Sequence, residues 1–156
     1  LGSPDPQQTA ADWSQARVLA ETLLGVSGFD MDRVTTTIRD MMNHLRPGSF
    51  QTIPAAADDE FCEAWPAYSV QGRPGITICP SFFEKHTDEQ RIRILIHEAA
   101  HLTGIGSAFA EEYCSEYDCV NDCGDKNSAD TWAQFVHCLS GATPDQTKEQ
   151  KLRAKR

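Results

Sequence analysis

The stretch 91–106, RIRILIHEAAHLTGIG, restricts what this chain can fold into more than any other part of it. Ile92, Leu95, Ile96 and Ala99 recur at helical spacing on one face, and Ile94, His97, Glu98 and His101 fall on another. Thr87 and Gln90 have the T-x-x-Q spacing of a capping box just before this run, and Gly104 and Gly106 permit a sharp reversal after it. The pattern therefore predicts a central, largely buried helix. Three titratable groups in such a helix are costly unless something compensates them.

A divalent cation is the compensation that fits the spacing. Residues four apart on a helix project from one face, so the His97 and His101 imidazoles can share one ion, and zinc is the expected metal. Glu98 lies beside them as a general base able to take a proton from water and pass it to a leaving amine. Catalytic zinc sites ordinarily have three protein ligands. The only later histidine is His137, well down the last helix, so an acid in AEEYCSEYD is expected to be the third ligand. Glu111 is the first choice, since it would share a helical face with Cys114 and Asp118. Glu112 and Asp118 remain open.

Around this helix the chain reads as scaffold. TAADWSQARVLAETLLGV shows helical recurrence through Ala11, Val18, Leu19 and Leu23, ending near Gly25. DMDRVTTTIRDMMNHL predicts a second helix, capped near Asp30 or Asp32 and stopped before Pro47-Gly48. AYSV and GITIC flank QGRPG and predict a β-hairpin. An edge strand there, beside a catalytic cleft, could bind an extended peptide by strand addition. SAFAEEYCSEYDCV reads as a short helix and CGDKN as a turn. SADTWAQFVHCL reads as the last helix, capped by Asn127, with Ala129, Trp132, Val136 and Leu139 facing the core.

With 156 residues, one domain is expected over 11–140. Residues 1–10 read as a tag remnant (Leu1-Gly2-Ser3) and a flexible N-terminus, and 141–156 as a flexible basic tail. That tail holds five Lys/Arg against two Asp/Glu, a net +3, so residues 1–140 carry −12 within the chain's total of −9. Such acidity argues against nucleic acid as a partner. No apolar run is long enough to span a membrane. The six cysteines, Cys62, Cys79, Cys114, Cys119, Cys123 and Cys138, predict up to three disulfides and a secreted, extracellular or periplasmic setting. Cys62 and Cys79 bracket the hairpin and could staple it. A structural zinc site in CSEYDCVNDC is the competing reading, though its spacings lack the tight C-x2-C pairs of common zinc knuckles.

ITICPSFF, LIHEAAHLTG, an acid followed by Tyr, and NSADTWAQFV, in that order over about residues 60–140, resemble the deuterolysin-type (aspzincin) metalloendopeptidases. The resemblance implies a zincin-like fold, zinc on His97 and His101, and Glu98 as general base. The family's third ligand is an aspartate in G-T-x-D-x-x-Y-G, a motif this sequence lacks, with GSAFAEEYC in its place. The family's intermediate-stabilising tyrosine would correspond to Tyr113. Asp130 falls where lysine-preferring members carry an acid near the pocket for the residue after the scissile bond. It would favour a basic substrate side chain there, or simply stabilise a helix's first turn. His137, two turns on from Asp130, would donate to an oxyanion or merely pack.

Together these readings predict an α+β, zincin-like metallopeptidase domain, mainly helical, with a small sheet or hairpin and a central HExxH helix. It would be a monomeric zinc endopeptidase acting on protein or peptide substrates, in the manner of a secreted toxin or effector domain. The alternatives are a secreted, disulfide-braced binding module with a structural or degenerate metal site, and a metal-dependent amidase acting on cell-wall peptides.

Overall fold

The computed structural model describes residues 6–27, 30–54, 58–106, 113–114, 119–120 and 124–140. Within them the fold is α+β, with helices α1 (Pro6–Leu19), α2 (Met31–His44), α3 (Glu60–Ala64), α4 (Pro80–Lys85), α5 (Asp88–Leu102) and α6 (Ala129–Leu139). Strands β1 (Phe50–Thr52), β2 (Ala67–Ser69) and β3 (Ile76–Ile78) make one sheet. α1 begins at Pro6, within the stretch 1–10 read as a tag remnant and flexible N-terminus. Proline suits a helix's first position, where an N–H would have no intrahelical acceptor. From Ala20 to Leu24 the helix widens into a π turn that buries Ala20, Leu23 and Leu24. No helix among the described residues is long and apolar enough to cross a membrane.

The sheet has the order β1-β3-β2. β2 and β3 form the expected hairpin, antiparallel with Tyr68 opposite Thr77, while β1 runs parallel to β3. β2 is therefore an edge strand. The Cys79 amide donates to the Pro66 carbonyl, which together with this register makes Tyr68 and Thr77 the next hydrogen-bonded pair. The backbone groups of Ala67 and Ser69 then point away from β3. Ala67, Ile76 and Ile78 are buried on the sheet's inner face, and side-chain alternation puts Ser69 on that face too.

The outer face is braced locally. Asp59 caps α3 by accepting from the Phe61 and Cys62 amides, and the Tyr68 hydroxyl donates to its other oxygen at 3.0 Å. Burial raises the Tyr68 pKa above the usual phenol value, and the hydrogen bond to Asp59 adds to the rise. A Cys62–Cys79 disulfide joins α3 to the end of β3, stapling the hairpin as its bracketing cysteines suggested.

Helix α5 begins with the capping box read from the sequence. Thr87 Oγ1 accepts from the Gln90 amide, and the Gln90 side chain accepts from the Thr87 amide. Its buried face differs from the one expected. Ile92 is 57% exposed, whereas Ile96 through Ala100 are all buried. Burial is concentrated beyond Leu95, so periodicity alone does not tell which turns of the apolar face are covered. α6 packs along α5 and is buried almost all round, through Trp132, Ala133, Gln134, Phe135 and Cys138. Leu139, expected in the core, is exposed, and so is Val18 of α1. The cap of α6 is Ser128 rather than Asn127. Ser128 Oγ accepts from the Thr131 amide and donates to Thr131 Oγ1, which in turn donates to the Asp125 carbonyl. Cys138 of α6 is bonded to Cys119, and Cys114 is also disulfide-bonded.

Candidate metal centre

The centre is built on the last two turns of α5. His97 and His101 stand edge to face with ring centroids 4.7 Å apart, and their Nε2 atoms are 3.1 Å from each other. What fixes the rings is the far side of each. His101 Nδ1 lies 3.0 Å from the Ile105 carbonyl oxygen, which can only accept, so Nδ1 carries the proton. The turn after α5 delivers that carbonyl. Gly104 takes φ +84°, a left-handed conformation that favours glycine, and the Ile105 amide returns to the Ala100 carbonyl in a Schellman-type closure. His97 Nδ1 lies 3.1 Å from Asp130 Oδ1 in the first turn of α6. Each imidazole thereby has an acceptor behind its Nδ1 and turns its Nε2 towards the other ring.

Two facing ring nitrogens at 3.1 Å suit a shared positive centre, a proton or a metal ion. Tetrahedral zinc with nitrogens at its usual bond length would set them about 3.3 Å apart. A carboxylate or a backbone carbonyl behind each ligating imidazole is also the arrangement that fixes tautomer and raises ligand basicity in metal sites. The two histidines thus fit as metal ligands. Among the described residues no set of three or more His, Cys, Asp or Glu side chains converges as a ligand group. The acids expected to supply the third ligand, Glu111, Glu112 and Asp118, lie outside the described residues.

Glu98 is 9% exposed, next to His97 on the inner side of α5. Burial pushes its pKa above the usual carboxylate value. The nearby histidines and a hydrogen bond from Ser69 oppose that rise. The Ser69 hydroxyl, reaching across from β2, donates to Glu98 Oε2 at 2.7 Å. A buried carboxyl shifted towards neutrality is suited to moving a proton in both directions.

Tyr113 stacks its ring on His97, with centroids 5.5 Å apart and planes 14° from parallel, while remaining 64% exposed. The adjacent Cys114 amide donates to Asp130 Oδ2. Asp130 is therefore buried between His97 and the Tyr113–Cys114 backbone, with an oxygen engaged on each side. That is an inward position in the first turn of α6. His137 is buried two turns further along α6, on the same face as Asp130.

The structure thus brings His97, Glu98, His101, Tyr113 and Asp130 together. Sequence reasoning missed Ser69, the Ile105 carbonyl and the role of Asp130 as the partner of His97. No local signal marks Ser69 or Ile105, because both act across a tertiary contact or a turn. Asp130 was flagged only by the motif around it. The chain matches no protein-family model, no curated protein and no solved structure.

Proposed function

We propose that the chain is a zinc-dependent peptidase of the zincin type, with His97 and His101 as two metal ligands and Glu98 as general base. The observation that carries this reading is the facing pair of Nε2 atoms, each imidazole fixed from behind by an acceptor, with a buried carboxylate beside them. A structural metal site has no use for that carboxylate. The third ligand is proposed among Glu111, Glu112 and Asp118. When bound, zinc supplies Lewis-acid polarisation of a carbonyl and acidifies water.

The chain's own residues would do the rest. Glu98 accepts a proton from the attacking water as its oxygen bonds to the carbonyl carbon. It returns that proton to the nitrogen as the C–N bond breaks, leaving a carboxylic acid and an amine, and the acid's remaining proton passes to the amine to give carboxylate and ammonium. Asp130 keeps the His97 ring oriented, and the Ile105 carbonyl does the same for His101. The Tyr113 ring, stacked on His97 yet open to solvent, is suitably sited to donate to the developing oxyanion; His137 is the other donor considered. An extended substrate would pair with the outward-pointing backbone of Ser69 on edge strand β2. The motif resemblance to deuterolysin-type enzymes and the disulfides support a secreted endopeptidase, with toxin or effector use as its proposed setting.

The test is a comparison of the zinc-loaded chain with Glu98→Gln on unfolded protein substrates. Zinc content should be equal, and cleavage should fall by at least about 10³-fold in the variant. Equal behaviour of the two proteins on every substrate would favour a disulfide-braced binding module. Cleavage confined to cell-wall peptides would favour the amidase.

A further inference from the structure

Glu98 has two carboxylate oxygens, and the described hydrogen bonds treat them differently. Oε2 accepts from the Ser69 hydroxyl at 2.7 Å; Oε1 is engaged by none of them. The same hydroxyl lies 3.3 Å from the Glu98 backbone carbonyl. A hydroxyl has one proton to donate, and the shorter, charge-assisted contact with the carboxylate takes it. We propose that Ser69 is a positioning residue for Glu98, holding Oε2 so that Oε1 is the oxygen presented to the reacting water. This rests on the peptidase reading above.

The argument is geometric. A glutamate side chain has three rotatable bonds, and a long carboxylate without an anchor samples several staggered arrangements. General-base catalysis needs one of them, with the accepting oxygen within hydrogen-bond reach of the water. Ser69 can impose it because it does not move with α5. It belongs to β2, held to β3 in fixed register opposite Ile76, and β3 is tied to α3 by the Cys62–Cys79 disulfide. Ser69 is also, with Ala67, a residue whose backbone groups point away from β3 at the edge of the sheet. One residue therefore joins the surface where a peptide strand would pair to the carboxylate that would act on it.

The test uses the full zinc-loaded chain, comparing wild type with Ser69→Ala and Ser69→Thr. Ser69→Ala should lower kcat about 10- to 100-fold, with KM and zinc content within about twofold of wild type. Ser69→Thr keeps the hydroxyl and should recover kcat to within about threefold of wild type. A purely structural serine would lose stability on truncation without this selective fall in kcat. The second readout needs neither metal nor substrate. In the metal-free protein at one fixed pH, the Glu98 carboxyl carbon resonance, assigned by its loss in Glu98→Gln, should move in Ser69→Ala and not in Ser69→Thr. An unmoved resonance, an unchanged kcat in Ser69→Ala, or an equal loss in both Ser69 variants would overturn the proposal. If wild type cleaves nothing while the resonance moves only in Ser69→Ala, the anchoring contact stands and the peptidase reading fails.

Discussion

The α1–α2 side of the molecule and the α5–α6 seam are both well buried, but they bury different things. The first closes over Leu19, Leu23, Leu24, Val34 and Met41, all apolar. The second buries His97, Glu98, Ser128, Asp130, Thr131, Gln134 and His137 among its apolar residues. Apolar burial stabilises in proportion to the area removed from water, whereas each buried polar group costs free energy until it is hydrogen-bonded. A chain selected for stability alone would build both regions like the first. The concentration of hydrogen-bonded polar groups at one seam is what sets the two regions apart.

Leu23→Ala offers the largest test of that division. It should destabilise the fold by about 2–5 kcal/mol in denaturant unfolding, while the zinc affinity of the folded protein, measured by chelator competition, stays within about threefold. A parallel loss of affinity would mean that the two regions are not separable. Asp130→Asn is the complementary change, because it keeps the shape and removes the charge behind His97. Zinc affinity should drop about 10- to 100-fold by the same competition. An unchanged affinity would reduce Asp130 to a packing residue.

Ser128→Ala sharpens the boundary within α6. Loss of the cap should lower stability by about 1 kcal/mol, read as a shift in the unfolding midpoint. The smallest effect belongs to Tyr68, away from the seam. Its raised pKa means that folding favours the neutral phenol. The corresponding stabilisation is complete below the ordinary phenol value near 10 and is lost as pH rises through the folded-state value. Absorbance at alkaline pH, compared between wild type and Tyr68→Phe, should show this phenol ionising above the ordinary value. Ionisation at or below it would show that the contact with Asp59 does not persist in solution.

What could be read from the sequence was whatever is encoded within a turn or two of chain. The capping box at Thr87, the hairpin around QGRPG, the stop at Gly104 and the pairing of His97 with His101 are all local patterns, and all are present. Local patterns failed where a neighbour from elsewhere decides. Ile92 has the spacing of a core residue but lies near the start of α5, where it is left exposed. Asn127 has good capping chemistry, yet Ser128 takes the cap one residue later through its contacts with Thr131. The candidate site divides in the same way. His97, Glu98 and His101 are contiguous in the helix and legible there. Asp130 is 33 residues from His97 and Ser69 is 29 from Glu98, so their roles depend on how α6 and β2 dock.

Asp130 sits in the opening turn of α6, the part of a helix that frays first, and that turn is closed by a single serine cap. If the imidazoles hold a cation, its occupancy and the closure of this turn are linked equilibria, each shifting the other. Amide hydrogens at the start of α6 would then exchange more slowly in the loaded protein than in the stripped one, so their exchange rates would report occupancy without any substrate being turned over.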